Sequence, residues 1–163
     1  VTVMSNLGLI LAMQEAGIKT IQTGVGDRYV LEAMLEGGYS LGGEQSGHII
    51  ADAFTNTGDG LCTALLFLNA VRALGEDVDT LVDRFGRYPQ KLSNLTLRSR
   101  DRLDLDRIND IAAEAQARME GRGRIFIRPS GTEPLLRILV EASELSLVEE
   151  MSNLLIERLR GVC

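Results

Sequence analysis

In the run TGDGLCTALLFLNAVRALG, residues 57–75, the apolar positions Leu61, Ala64, Leu65, Leu68 and Val71 repeat at helical spacing, and other apolar residues join them nearly all round. A helix apolar on every side is predicted to be buried, with Thr57 or Asp59 capping its start and Gly75 ending it. Upstream the pattern reads strand, helix, strand, helix. Residues 1–4 predict a short strand, SNLGLILAMQEAG a helix with Ser5 as N-cap and Gly17 just past its end, IKTIQTGV a second strand, and DRYVLEAMLEGG a second helix with Asp27 at its positive end. SLGG and HIIAD add two short strands around a polar cluster. Such a rhythm implies parallel strands joined by crossover helices, and ligands in such layers gather at loops after the carboxyl ends of strands.

From about residue 76 to 89 the chain turns acidic and irregular, with one weak helical turn and a proline, as a linker does. Beyond it QKLSNLTL alternates as a strand, and residues 106–120 carry Ile108, Ile111, Ala112, Ala115 and Met119 at helical spacing. GRIFIR and LLRILVEA read as two strands joined by PSGTEP, and Leu147, Val148, Met151, Leu154, Leu155 and Leu159 mark a last helix. The expected organisation is an α/β unit over 1–78, a linker over 79–89, and an α+β unit over 90–163 with its helices on one face of an antiparallel sheet. Neither a repeat nor a heptad array is present.

Composition narrows the function classes. Forty-five per cent hydrophobic residues over 163 positions permit a real core. Seventeen basic against 23 acidic side chains, net charge -6, argue against nucleic acid or an acidic membrane as the main partner. No apolar run reaches the roughly 20 residues of a membrane helix. Cys62 and Cys163 make neither a metal spacing nor a disulfide framework, so a reducing cytoplasm is the expected setting. The chain opens inside VTVM without an initiating Met, which suggests a fragment of a longer protein.

Three stretches hold candidate chemistry. GGEQSGH, residues 42–48, sets Glu44, Gln45, Ser46 and the only histidine, His48, between glycines; it reads either as a loop for a sugar or other polar ligand or as a solvated hairpin turn. RPSGTEPLLR, residues 128–137, places Ser130, Gly131 and Thr132 between Arg128 and Arg137. Successive N–H groups of such a turn can form an anion nest, with hydroxyls and guanidinium groups completing a phosphate seat; the alternative is a plain hairpin loop with surface arginines. TGVGDRYV, residues 23–30, lacks the full dinucleotide fingerprint, and its Asp27 and Arg28 either line a ligand cleft or cap the helix and pair with Glu32.

Taken together and in this order, VGDRYV, GGEQSGHI, TGDG and RPSGTEPLLR resemble the second half of the α-D-phosphohexomutase superfamily, in its hexosamine-phosphate branch, over essentially the whole chain. The resemblance implies part of the third domain, an α/β unit, followed by the fourth, which resembles the TATA-box-binding-protein fold. It implies an isomerase that interconverts glucosamine 6-phosphate and glucosamine 1-phosphate, supplying UDP-N-acetylglucosamine and peptidoglycan precursors, through an enzyme phosphoserine and a bisphosphate intermediate. In that family Glu44 and Ser46 match sugar-hydroxyl ligands, Gln45 resembles the hexosamine version, His48 matches a cleft residue, and Arg128, Ser130, Gly131, Thr132 and Arg137 match the loop holding the phosphate that is not transferred.

The phosphoserine loop and the Mg-binding loop of the family belong to its first and second domains, and neither motif occurs here; the single Asp of TGDG cannot offer the several carboxylates Mg requires. The expectation is therefore no catalytic residue and no metal ligand in this chain, Mg bound by a missing upstream domain, those N-terminal domains and a hexosamine phosphate as partners, and no activity for this chain alone. Rival readings are a phosphomannomutase or phosphoglucomutase, and a non-enzymatic sugar-phosphate-binding module.

Overall fold

Side-chain caps mark the start of three of the helices. The computed structural model describes residues 1–82, 84–97, 103–131 and 133–161, so Thr132 and Cys163 lie outside the described residues. The chain divides into two units, Val1 to Arg87 and a second beginning at Tyr88. In the first, α1 spans Leu7–Glu15, and its N-cap is Asn6 rather than the expected Ser5. The Asn6 side-chain carbonyl accepts the Gly8 N–H at 3.0 Å, while Ser5 Oγ accepts the Thr2 N–H at 3.3 Å and so is used outside the helix. Helix α2 spans Asp27–Gly37 and stops at Gly38, whose φ of 65° is open to glycine at little cost.

The strands β1 (Leu41–Gly43) and β2 (Ile49–Ala51) form an antiparallel hairpin in the register Leu41 to Ala51. It lies so close to α2 that a Cβ on Gly42 would sit 2.3 Å from Met34 Sδ and 2.6 Å from Val30 Cγ1. Helix α3 (Gly60–Leu74) starts at Asp59, whose carboxylate accepts the Cys62 N–H at 2.9 Å, and ends at Gly75. A five-residue helix, α4 (Val78–Val82), follows.

Two expectations for this unit are corrected. The strands read at 1–4 and 18–25 reduce, among the described residues, to one parallel bridge between Thr2 and Thr23. Its bonds run from Val3 N–H to Thr23 O and from Thr23 N–H to Val1 O, both 2.9 Å. A parallel ladder is stable when both faces are covered, and Ile18 and Ile21 remain 53% and 37% exposed. Helix α3 is not buried: none of its residues is, and Leu61, Leu65 and Leu68 are 74%, 61% and 59% exposed. It packs against β2, and an all-round apolar helix needs more neighbours than that hairpin supplies. The core of the first unit is Val30, Met34 and Ile50, with Leu31 and Tyr39 against it.

The second unit is the expected α+β layer. β3 (Gln90–Thr96), β4 (Gly123–Pro129) and β5 (Leu135–Ala142) form an antiparallel sheet in the order β3-β5-β4. Helices α5 (Leu105–Arg118) and α6 (Leu145–Leu159) cover one face. Strand alternation turns Leu136, Ile138, Val140 and Ala142 of β5 toward the helices, into one cluster with Ile108, Ile111, Val148, Met151 and Leu155. Gln116 ties α5 to β4, donating from Nε2 to Gly123 O at 2.9 Å and accepting the Ile125 N–H at 2.8 Å. The other face carries three cross-strand rows: Gln90, Glu141 and Arg124; Leu92, Leu139 and Phe126; Asn94, Arg137 and Arg128. In the first row the fully buried Glu141 carboxylate accepts from Arg124 Nε at 2.5 Å, so the charge is buried only with its partner.

Candidate functional site

The hairpin loop of the first unit gathers most of its sequence candidates through short bonds. Glu44 N–H donates to His48 O at 2.9 Å and Gly47 N–H to Glu44 O at 3.0 Å, which folds the loop back on itself. The Glu44 side chain is only 9% exposed. Its Oε1 accepts the N–H of Gly26 at 2.8 Å, clasping the loop before α2 to the loop between β1 and β2. Its Oε2 lies 3.5 Å from Ser46 Oγ and 3.8 Å from His48 Nδ1, and Ser46 Oγ is 3.0 Å from His48 Nδ1. Gly58, from the TGDG stretch, leaves room for this ring: a Cβ there would stand 3.2 Å from His48 Cδ2. A mostly covered carboxylate, a hydroxyl and an imidazole thus form one polar cluster, whose exposed members Ser46 and His48, with the exposed Gln45 beside them in the chain, can meet a polyol.

Asp27 and Arg28 behave as a helix start. Asp27 Oδ1 accepts the N–H of Arg28 at 2.8 Å, and Arg28 Nε donates to Glu32 one turn on, also at 2.8 Å. That hydrogen bond and charge raise the Arg28 pKa, and the pair stands in solvent. Beside the hairpin is a cavity of about 1010 Å³ lined by Leu9, Met13, Ile21 and Phe67 as well as Glu44. Its mainly apolar wall suits apolar matter, not a sugar phosphate.

In the second unit the loop between β4 and β5 is closed by its own bonds. Ser130 N–H donates to Leu135 O at 2.8 Å, and Glu133 N–H donates to Ser130 Oγ at 3.3 Å. Those two amides therefore do not open as the anion nest the sequence suggested, because Ser130, 4% exposed, must satisfy its backbone inside the turn. The Ser130 hydroxyl keeps its own proton to donate. What the register brings together is charge: Arg128 stands directly across the ladder from Arg137. Like charges so placed repel unless an anion lies between them. Arg137 Nη2 pairs with Glu133 Oε2 at 3.0 Å, yet its Nε is buried without a hydrogen-bond partner, a state that costs about 1–3 kcal/mol. Among the described residues Arg128 makes no ion pair.

Four residues of these sites escape a reading by motif. Gly26 and Gly58 each lie inside a quoted stretch but act on another one, Glu133 pairs with Arg137, and Asn94 joins the arginine row through β3. Alternation along QKLSNLT marks a strand, but the pairing of Asn94 with Arg137 is seen only in the sheet. No group of three or more His, Cys, Asp or Glu among the described residues could hold a metal ion, and no described helix is long and apolar enough to cross a membrane.

This combination of a small α/β unit and a helix-backed antiparallel sheet is the phosphohexomutase fold. The structure of N-acetylphosphoglucosamine mutase from Aspergillus fumigatus matches 99% of this chain and 38% of its own with a TM-score of 0.84, at 17% identity. A second structure of that enzyme, in complex with GlcNAc-6P and magnesium, gives 0.80 at 16% identity over the same shares. Residues 1–88 match the phosphoglucomutase/phosphomannomutase α/β/α domain III, and residues 92–157 match the C-terminal domain of the same family. The chain belongs to the phosphoglucomutase/phosphomannomutase family. Its relatives include phosphoglucosamine mutases from Bacillus subtilis (strain 168), 42% identical over 98% of this chain, and from Bifidobacterium longum subsp. infantis, 49% identical over 93%. The chain spans about a third of their length, 36% and 33% respectively.

Proposed function

We propose that this chain is the sugar-reading and distal-phosphate-holding part of a phosphoglucosamine mutase that interconverts glucosamine 6-phosphate and glucosamine 1-phosphate. The observation that carries the reading is that Arg128 and Arg137 stand opposite one another in the β4–β5 register, with Arg137 Nε buried and without a hydrogen-bond partner, two like charges whose repulsion a bound phosphate would offset. Ser130 adds a hydroxyl donor, Gly131 and Thr132 are its proposed companions in holding the phosphate, and Glu44, Gln45, Ser46 and His48 take the sugar hydroxyls. Identity of 42–49% to bacterial phosphoglucosamine mutases supports the hexosamine substrate.

In the whole protein the phosphoryl group passes from an upstream phosphoserine to the free hydroxyl of the bound sugar phosphate, giving a bisphosphate. After the sugar turns over, the other phosphate returns to serine. The seat in the second unit must accept a phosphate on O1 or on O6, which favours charge over a shaped pocket. Mg²⁺ bound upstream would offset charge on the transferring group; the described residues here form no set suited to it. This chain alone reads and holds but does not turn over substrate.

Titration of the chain with inorganic phosphate, followed by amide NMR, tests the seat. Residues 129–133 are expected to shift with a millimolar Kd, on the order of −4 kcal/mol, and Arg137→Ala to weaken binding at least tenfold, about 1.4 kcal/mol. Unmoved amides at phosphate far above that range, or undiminished binding by Arg137→Ala, would refute it.

A further inference from the structure

The outer edge of β4 is closed by a side chain. At the two ends of β4 the even-numbered residues bond to the β5 side: Ser130 N–H donates to Leu135 O, and Ser143 N–H donates to Arg122 O, each at 2.8 Å. Alternation therefore turns the backbone N–H and C=O groups of Gly123, Ile125 and Ile127, and the C=O of Pro129, away from the sheet. Pro129 has no N–H to offer. Gly123 O and Ile125 N–H are taken by Gln116 of α5, which donates from Nε2 at 2.9 Å and accepts at Oε1 at 2.8 Å. A primary amide carries the same kinds of donor and acceptor as a peptide group, and here it bonds the residues on either side of Arg124, as one residue of an added parallel strand would. Gly123 permits this reach: a Cβ there would lie 2.4 Å from Met119 Cε and 2.1 Å from Glu141 O, so the end of α5 sits directly against the start of β4.

We infer that the Gln116 side chain acts as a one-residue strand that seals β4 against pairing with a second copy of this chain. An unpaired edge is a template for another strand, and GRIFIRP, with two isoleucines and a phenylalanine, is well suited to pair. A second copy is the fitting occupant because the same edge, turned by a two-fold axis, sets its donors opposite its own acceptors. With Gln116 in place and a proline at the far end, a single outward N–H is left beyond Gln116, that of Ile127, which is too little for a ladder. The role concerns association of the chain and stands apart from the binding of a sugar phosphate.

Amide hydrogen exchange resolved by residue, at a low and a high protein concentration, tests the seal. In the wild-type chain Ile125 N–H is expected to exchange about tenfold more slowly than Ile127 N–H, with neither rate dependent on concentration. Gln116→Met and Gln116→Ala keep a good helix former and remove the amide, so Ile125 is expected to lose its protection in dilute solution. Raising the concentration is expected to restore that protection and to slow Ile127 several-fold, as the edges of two copies pair. Ile111→Val, a small truncation in the core on the same helix, controls for general weakening and is expected to leave Ile127 insensitive to concentration. Equal exchange at Ile125 and Ile127 in the wild type overturns the inference. So does an Ile127 rate that stays independent of concentration in both Gln116 variants, or one that slows equally on concentration in Ile111→Val.

Discussion

The two units differ in how they use a similar supply of apolar residues. Among the described residues the second unit closes fourteen buried apolar side chains into one cluster, from Leu97 to Leu159, while the first closes three, Val30, Met34 and Ile50. Helices α5 and α6 are apolar on one side and meet a sheet on that side, so their pattern is satisfied within the unit. Helix α3 is apolar all round and meets a two-stranded hairpin. Apolar sequence therefore states a demand for cover, and only the fold determines whether a unit meets that demand itself.

The largest effect separating the units should come from truncating the closed core. Leu155 is fully buried in the second unit, between α5 and the sheet, and Leu155→Ala is expected to cost about 2–5 kcal/mol in chemical denaturation. In the first unit Leu65→Ser, at a position 61% exposed, is expected to change stability by less than about 0.5 kcal/mol. The same variant should bind less of an apolar-surface dye than the wild type. Equal costs at the two positions would erase the contrast, and so would a dye signal indifferent to residue 65.

That contrast also explains what the sequence could convey. The second unit was legible to within a few residues because each strand alternates and each helix has one apolar side: β3, β4, β5 and α6 fall where the pattern put them. The first unit was legible in its helices and its hairpin, whose ends are written in local chemistry, Asp59 and Gly75 for α3 and Gly38 for α2. Its strands were not, since Thr2 and Thr23 make one bridge where a parallel sheet would need flanking strands. Asn6 against Ser5 is a choice between two adjacent good caps that only the path of the chain decides.

The candidate sites divide the same way. Glu44, Ser46 and His48 were visible because they act within five residues of one another. The Gly26 to Glu44 bond joins positions 18 apart, and the row of Asn94, Arg137 and Arg128 depends on the register of three strands. Arg28 shows the converse. It looked equally apt for a cleft, and a local bond to Glu32 claims it.

The smallest effect concerns the link between α5 and α6, where Arg158 donates to the Glu114 carboxylate. The hydrogen bond and charge of Arg158 hold the Glu114 pKa below the usual glutamate value. A carboxylate with a depressed folded-state pKa binds its proton more readily when unfolded, so it adds stability above its unfolded pKa and loses that stability as pH falls toward the lower folded value. The pair is solvent-exposed, so the contribution is minor and screened by salt. Comparing the denaturation midpoints of wild type and Glu114→Gln should show a small gap that is constant near neutral pH and begins to narrow about one unit above 4.3, the pH at which an unfolded glutamate is half protonated. The gap should then narrow as pH drops further, and added salt should shrink it at neutral pH. A gap that stays constant through the acid range would mean that the Glu114 carboxylate does not stabilise the closed unit through its charge.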